Sequence, residues 1–276
     1  MSMITWEAAV RSYRAQPQNA SGVLDNYFDL PVVNAAQRYA RGEEFREVQR
    51  LLGRGGGRPV LDLGAGNGIA SFALASIGWR VTALEPDPSA EVGAHAVRQL
   101  AQDGGVSIDV VEEWGERLPF PACHFAAVFG RQVLHHARDL DAMVCEVARV
   151  LQPGGLALFI RDHVANDPSQ LQAFRAAHPL HSLYGGENAF SLTDYRRAFE
   201  RAQLLVRHEW GPLDSILNYY PGSEDQRRRA GRKLALRLVL ARGFAFNRTL
   251  HTRWVAWATQ HDRAPGRLVS FLVQKA

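Results

Sequence analysis

Glycines and acidic residues cluster in one short stretch of this 276-residue chain. The string VLDLGAGNG stands between an apolar run and a helical pattern, and it contains Asp62, Gly64, Gly66 and Gly68. Glycines allow a tight turn and let the backbone amides approach a bound nucleotide closely. Glu85 follows 17 residues after Gly68, and a carboxylate at such a spacing can accept hydrogen bonds from both ribose hydroxyls. The combination predicts a nucleotide-binding loop.

The spacing of the glycines argues against a dinucleotide. A dinucleotide fingerprint reads G-x-G-x-x-G, but Ile69 stands where its third glycine would fall. Asp62 suits a cationic ligand better than a pyrophosphate, because a carboxylate beside a phosphate repels it. The alternatives are a structural strand-to-helix turn for the loop and a helix cap for Asp62.

A second set of polar side chains lies in the segment HPLHSLYGGENAF, which holds His178, His181, Tyr184, Glu187 and Asn188. Such groups can form a lid that binds a polar substrate, with His181 as a further candidate for catalysis. In the alternative interpretation, Glu187 and Asn188 form a turn and a helix cap while the aromatic rings pack. Pro179 breaks the helical spacing of the two histidines, so no metal site is predicted.

Short apolar runs alternate with helical patterns from about residue 58, which is typical of a parallel sheet with crossover helices. We predict strands near 59–63, 80–85, 106–111, 125–130, 156–161, 205–210 and 268–273. Helices are predicted near 69–77, 89–102, 140–151 and 193–202. The fold class is therefore α/β, with a doubly wound, mostly parallel seven-stranded sheet.

The predicted organisation has three parts. Residues 1–57 form an N-terminal helical cap, and residues 58–217 and 267–276 form the core, with a lid loop over 162–190. Residues 218–266 form a basic helical insertion between the last two strands.

The net charge of +4 is concentrated in this insertion, because segment 223–253 carries nine basic and two acidic residues. A basic amphipathic helix over 226–243 could contact an anionic membrane surface or a phosphorylated ligand. A solvated face with a homodimer or cap contact is the favoured interpretation, because the arginines are clustered rather than striped. The remainder of the chain is slightly acidic, so no nucleic-acid partner is expected.

Composition excludes further classes of protein. No apolar run approaches the roughly 18 residues of a membrane span, and 46% hydrophobic residues suffice for a globular core. The N-terminus lacks the apolar stretch of a secretory signal, and Cys123 and Cys145 are the two cysteines. We therefore expect a cytoplasmic protein without disulfides.

The glycine string, together with Asp62 and Glu85, resembles the class I S-adenosylmethionine-dependent methyltransferases, including their type 11 methyltransferase domain. The likeness continues in RLPFP at 117–121, VLHH at 133–136 and ARVLQPGG at 148–155, and covers about residues 59–161. It implies a Rossmann-like fold and S-adenosyl-L-methionine as the cofactor, with S-adenosyl-L-homocysteine as its product.

The resemblance also implies which residues contact the cofactor. The methionine portion would be bordered by Asp62, Gly64, Ala65 and Gly66, while Glu85 would bind the ribose and Pro86 would flank the adenine. Gly130 and Tyr27 complete the predicted set, Tyr27 as part of an N-terminal cover.

The adenine contact departs from the family pattern at Trp114, where relatives usually carry an acid. Glu113 could supply the acceptor instead, or Trp114 could stack on the base. Packing of Trp114 against the sheet is the alternative.

The methyl acceptor is expected beyond the ends of the fourth and fifth strands, because ligands of open parallel sheets bind there. The sulfonium methyl is already activated, so the enzyme mainly aligns the nucleophile and accepts a proton. His163 is the first candidate base, with Asp162 able to orient it, and His136 is the second. Predicted substrate contacts are Arg131, His178, Tyr184, Glu187 and Asn188.

These inferences predict a methyltransferase acting on a polar small molecule or a glycan, with oxygen preferred over nitrogen as the acceptor atom. The alternative is a catalytically silent relative that uses the insertion to bind a partner.

Overall fold

The computed structural model describes residues 4–237, 253–255, 257–258 and 261–276. Its strands are β1 (Pro59–Leu63), β2 (Arg80–Leu84), β3 (Ile108–Val111), β4 (Phe125–Arg131), β5 (Leu151–Val164), β6 (Leu204–Trp210) and β7 (Arg267–Lys275). They form one seven-stranded sheet in the order β3-β2-β1-β4-β5-β7-β6. Strands β1 to β5 pair in parallel, whereas β7 runs antiparallel to both β5 and β6. The predicted sheet is confirmed.

The helices are α1 (Trp6–Arg14), α2 (Ala20–Asp25), α3 (Val32–Arg41), α4 (Glu43–Leu52), α5 (Ile69–Ser76), α6 (Ala94–Gly104), α7 (Leu140–Val150), α8 (Pro168–Ala177), α9 (His181–Tyr184), α10 (Leu192–Arg201) and α11 (Glu224–Arg237). Helix starts follow local sequence. Asp139 caps α7, and Ser191 and Asp194 form a capping box at α10, each cap contributing about 1 kcal/mol. Helix α6 begins at Ala94 rather than near residue 89, because Gly93 is extended and Asp87 accepts the Ser89 amide in a turn.

Both faces of the sheet are covered by helices. On one face, α7 and α10 contribute Val144, Val147 and Phe199 to a core with Phe271. On the other face, α3, α4 and α5 contribute Tyr39, Phe45 and Ala73. Helices α3 and α4 therefore belong to the core, in contrast to the predicted cap over 1–57, because their apolar sides pack against the sheet. Of the predicted cap, the segment before α3 is the part that covers the carboxyl ends of the parallel strands.

The predicted lid loop over 162–190 is largely regular structure. Strand β5 continues to Val164 because it pairs with β7 as far as Arg267. Helix α8 then starts where Asp167 caps the amide of Gln170, with Pro168 in its first turn. Both Asp162 and His163 are thus strand residues.

The insertion also begins later than predicted. Asn218 is buried, its side-chain amide donating to the Trp210 carbonyl, and Tyr220 stacks on Tyr27. Helix α11 follows, and Glu224 in its first turn pairs with Arg227 and Arg228. The distal part of the predicted amphipathic stretch, residues 238–243, lies outside the described residues. None of the helices in the described part of the chain has the length and apolar character needed to cross a bilayer.

Candidate active site

A cavity of about 700 Å³ lies at the carboxyl edge of the parallel strands. One end is lined by residues predicted to bind the cofactor, namely Asp62, Gly64, Ala65, Gly66, Glu85, Pro86 and Trp114. The other end is lined by residues predicted for catalysis or substrate binding, namely Arg131, His136, His163, His178, Tyr184 and Glu187. The fold therefore joins the two predicted sets in one continuous space.

The glycine loop after β1 has a backbone that side chains would oppose. Gly64 and Gly66 have φ angles of +67° and +56°, in the left-handed region that favours glycine. A Cβ on Gly64 would also lie 2.5 Å from Cγ2 of Val133. The loop is held to β2 because the Gly64 and Ala65 amides both donate to the Leu84 carbonyl.

Glu85 ends β2 and joins the two cofactor loops. Its carboxylate accepts the Gly66 amide at 2.7 Å and the Asp87 amide at 3.0 Å. Each oxygen keeps a further lone pair, so the group can still accept two hydroxyl donors. The residue is 8% exposed, and burial raises the pKa of Glu85 to about 7 against the opposing effect of the two amides.

Asp62 is the more buried of the two carboxylates, at 1% exposure. The hydroxyl of Ser71 donates to it, and burial raises the pKa of Asp62 to about 7. A cationic ligand in the cavity would favour its ionised form. The glycine loop, Asp62 and Glu85 together thus fit the cationic nucleoside that the sequence predicts.

Trp114 rather than Glu113 lines the cavity beside this loop. Its ring is 47% exposed and lies beneath the guanidinium of Arg138, 3.9 Å from the ring centroid. Glu113 lies outside the lining, and its carboxylate accepts the amide of Trp114. Glu116, which the sequence analysis missed, lines the cavity and accepts the Arg138 amide. The structure therefore favours Trp114 for the adenine contact.

Helix α1 covers the cavity beside the loop that follows β2. Glu7 accepts the amides of Ala90 and Glu91, while Arg11 and Arg14 pair with the Glu91 carboxylate. Trp6 reaches the lid segment, where its ring lies 4.7 Å from that of Tyr184. The cavity lining includes Phe28 of this cover, and also Trp6, Tyr13 and Asn26, which were not predicted. These residues contact loops that are distant in the sequence, so no local sequence pattern indicates their role.

Tyr27 and Gly130, both predicted to contact the cofactor, lie outside the cavity lining. The ring of Tyr27 is buried against Tyr220, with the centroids 5.1 Å apart, and against Tyr39 at 5.4 Å. Its backbone carbonyl accepts the side-chain amide of Asn67, which lines the cavity. A Cβ on Gly130 would meet Val133 and Phe159 within 3 Å.

Two predicted lid residues lie outside the cavity lining. Asn188 accepts a hydrogen bond from Arg175, which also donates to the Glu187 carbonyl and so holds this segment in place. His181 begins α9, whereas Tyr184, at the end of the helix, lines the cavity. The predicted roles of both residues in catalysis or binding are therefore not supported by position.

His163 lies at the acceptor end with its tautomer determined. Its Nδ1 is 2.8 Å from the Gly266 carbonyl oxygen; a carbonyl only accepts, so Nδ1 carries the proton and Nε2 has a lone pair. Burial lowers the pKa of His163 to about 4, so the ring is neutral at physiological pH. The predicted partner Asp162 is wrong, since that carboxylate contacts His135.

His135 and Asp162 form a fully buried pair. The Nδ1 atom of His135 is 2.9 Å from Oδ1 of Asp162, and the backbone amide of His135 donates to the same oxygen at 3.2 Å. His135 lines the cavity beside the exposed His136. The VLHH string indicated both histidines, but it did not show which of them a buried acid would orient.

Arg131 reaches the cavity wall, although its charge is directed elsewhere. Its Nε donates to Glu44 at 2.8 Å, and Arg161 lies 3.5 Å from the same carboxylate. A buried guanidinium requires such a partner. Arg131 therefore has a structural partner in Glu44, and its role in substrate binding stays a prediction.

The strand order, the glycine loop after β1 and the acid at the end of β2 define a class I methyltransferase fold. Residues 61–159 match the family model described as "Methyltransferase domain". Residues 61–159 therefore belong to a class I methyltransferase domain, whose cofactor is S-adenosylmethionine.

Among curated relatives, a ubiquinone biosynthesis O-methyltransferase of Methylocella silvestris is 36% identical over 100 residues, which are 36% of this chain and 38% of that protein. A malonyl-(acyl-carrier protein) O-methyltransferase of Enterobacter lignolyticus is 33% identical over 147 residues, which are 51% of this chain and 56% of that protein. The chain thus spans about half or less of the length of these relatives. A geranyl diphosphate C-methyltransferase of Streptomyces coelicolor, solved with S-adenosyl-L-homocysteine, shares the fold with a TM-score of 0.60 at 14% identity and full coverage of both chains.

Proposed function

We propose that the protein transfers the methyl group of S-adenosylmethionine to an oxygen of a polar small molecule. The observation that carries the proposal is the single cavity that joins the glycine loop and Glu85 to the imidazole of His163. The bound cofactor supplies a methyl group that is already activated for transfer. The chain must therefore hold the cofactor, align the acceptor and receive a proton.

The cofactor end contains groups suited to each part of the ligand. The free lone pairs of Glu85 match two ribose hydroxyls, and Asp62 offers a negative charge to a cation. Trp114 presents a half-exposed ring for the adenine. Helix α1, anchored by Glu7 on the loop after β2, excludes water from this end.

The acceptor end offers His163 as the proton acceptor. The Gly266 carbonyl holds Nδ1 as a donor, which leaves Nε2 as the basic atom. The imidazole gains its positive charge as the cationic sulfur becomes neutral, so the total charge of the cavity is unchanged.

The size of the cavity favours a small molecule over a glycan chain. The contact between Trp6 and Tyr184 links α1 to α9 beside the cavity, and the cavity volume of about 700 Å³ lies within the roughly 300–1,000 Å³ of small-ligand sites. Two relatives bear names of O-methyltransferases, which supports oxygen as the acceptor atom.

Isothermal titration with S-adenosylhomocysteine tests the cofactor end. We expect one binding site per chain in the wild type and a strongly reduced affinity in Asp62→Ala, with Glu113→Ala as a control of unchanged affinity. A wild type that does not bind would overturn the proposal. Release of S-adenosylhomocysteine is then measured with phenols, carboxylic acids, sugars and amines. Binding without transfer to any acceptor would indicate the silent alternative, and transfer to amines alone would contradict oxygen as the acceptor atom.

A further inference from the structure

We propose that His135, His136 and Glu187 bind one divalent transition-metal ion at the acceptor end of the cavity. The ligand atoms of these three residues all lie within 4.8 Å of one another. The histidines belong to the short 3₁₀ helix Leu134–His136 after β4, and Glu187 follows α9. All three line the cavity. Binding of the ion is independent of the proposed function, while the role given to the ion below rests on it.

The spacing of the three side chains is close to that of a formed site. Two ligand atoms held at about 2.1 Å from one ion in tetrahedral geometry lie roughly 3.4 Å apart. Small side-chain rotations would close the observed set to that separation, and the exposed His136 has room to make them.

His135 is oriented as a metal ligand. An ionised Asp162, the form that a bound cation favours, has no proton to donate, so its Oδ1 accepts from Nδ1 of His135 as well as from the backbone amide. The proton therefore resides on Nδ1, and Nε2 carries the lone pair. A carboxylate behind a ligating histidine is the usual outer-sphere arrangement of metal sites in proteins.

Glu187 is a buried carboxylate that lacks a permanent positive partner. It is 4% exposed, accepts the Tyr184 hydroxyl and lies 3.6 Å from Nδ1 of His178. Within the described part of the chain, neither a lysine nor an arginine forms an ion pair with it. Arg175 donates to the Glu187 backbone instead. A bound cation would supply the charge that a buried carboxylate requires.

The donor set selects the class of ion. Two imidazoles and one carboxylate suit zinc, iron(II), cobalt(II) or manganese(II), whereas magnesium and calcium prefer oxygen ligands alone. Three protein ligands leave a coordination position open, as in catalytic rather than structural sites.

An open position at this end of the cavity gives the ion a role in the proposed methyl transfer. An acceptor hydroxyl bound there loses its proton more readily, and the proton passes to Nε2 of His163 or to solvent. The new bond joins the acceptor oxygen to the methyl carbon, and the bond from that carbon to sulfur breaks. The sulfur keeps the electron pair and becomes neutral.

The sequence analysis expected no metal because it considered only the spacing of His178 and His181. The proposed set instead combines neighbouring histidines with a glutamate about 50 residues away in the sequence, which only the fold brings together.

The test is titration of untagged, chelator-treated protein with Zn²⁺ and Co²⁺, followed by calorimetry and by the visible absorption of Co²⁺. We expect one ion per chain and a Co²⁺ spectrum typical of nitrogen and oxygen ligands. His136→Gln and Glu187→Gln should each weaken binding roughly 100-fold or more, which exceeds most outer-sphere effects. His181→Gln, a nearby histidine outside the cavity lining, should bind as the wild type does.

Affinity for S-adenosylhomocysteine is measured on the same samples. Retained affinity in His136→Gln and Glu187→Gln shows that these variants are folded, and it separates failure of the metal proposal from failure of the proposed function. A wild type that binds no ion, or ion binding that both variants leave unchanged, would overturn the proposal.

Discussion

The glycine loop, Asp62 and Glu85 at the cofactor end of the cavity come from one strand-loop-helix-strand unit, whereas the acceptor end combines the turn after β4, strand β5 and the segment after α9. At the cofactor end, Glu85 accepts backbone amides from its own unit. At the acceptor end, two histidines depend on partners remote in sequence, His163 on Gly266 and His135 on Asp162. Local contacts make the first end recognisable from a motif, while long-range contacts make the second specific to this fold.

The largest expected effect falls on the acceptor end alone. His163→Ala removes the proposed proton acceptor, so kcat should fall by roughly 10²- to 10⁴-fold. Affinity for S-adenosylhomocysteine should stay within about twofold, because His163 is held by Gly266 and not by the cofactor loops. Steady-state kinetics and calorimetry check both values, with His181→Ala as the matched control. An unchanged kcat would remove the base role from His163.

A substitution at Glu85 is expected to affect the cofactor end instead. Glu85→Ala removes the acceptor of two backbone amides and of the expected ribose hydroxyls. Since a hydrogen bond to a charged group contributes about 1.5–3 kcal/mol, affinity for S-adenosylhomocysteine should fall roughly 100-fold or more. Glu113→Ala is the control, because that carboxylate lies outside the lining. Equal affinities of the two variants would contradict the assignment of the cofactor end.

The pH dependence of cofactor affinity sharpens the comparison further. The folded-state pKa values of Asp62 and Glu85 are both raised to about 7, and the cofactor favours their ionised forms. One such group alone makes binding about tenfold weaker at about pH 6 than at about pH 8. Calorimetry across this pH range measures the pH dependence of the affinity. In the double variant with Asp62→Asn and Glu85→Gln, the affinity that remains should not depend on pH.

Stability of the cofactor-free protein should change in the opposite direction. Both carboxyls hold protons more tightly in the folded state than in the unfolded state, so their stabilising contribution is complete below about pH 4. It is lost as the pH rises through about 7. Thermal unfolding should therefore show a Tm that declines from about pH 5 to about pH 8 more in the wild type than in the double variant. A wild-type decline no larger than that of the variant would be inconsistent with the raised pKa values.

The smallest effect is expected from changes in the basic insertion, which should act independently of both ends of the cavity. Changing Arg228, Arg229 and Arg232 together to glutamate should leave cofactor affinity unchanged, because these residues lie on α11, outside the cavity lining. The same variant tests the prediction of a membrane, anionic-ligand or homodimer contact by vesicle sedimentation and by light scattering. A reduced cofactor affinity would show that the insertion is coupled to the cavity.

Most residues that were predicted for the cofactor end from the glycine string line the cavity, whereas the predicted residue of the N-terminal cover does not. The apolar runs predicted β1 to the residue, and Asp62, Glu85 and Trp114 all line the cavity. Tyr27 lies outside the lining, because an aromatic residue in a helical region can face the core or the ligand and the sequence pattern is the same in both cases. His181 and Asn188 also lie outside the lining, because their orientation depends on how α9 and Arg175 dock.

The sequence by itself determined the fold class, the cofactor loop and the class of cofactor, because those depend on hydrophobic periodicity and on spacings within one supersecondary unit. Only the tertiary structure decided that Asp162 orients His135, that Gly266 sets the tautomer of His163 and that Glu187 meets the histidines after β4. These partners lie on different strands and loops. Their contacts depend on the pairing of β5 with β7 and on the docking of α1 and α9, which no local pattern encodes.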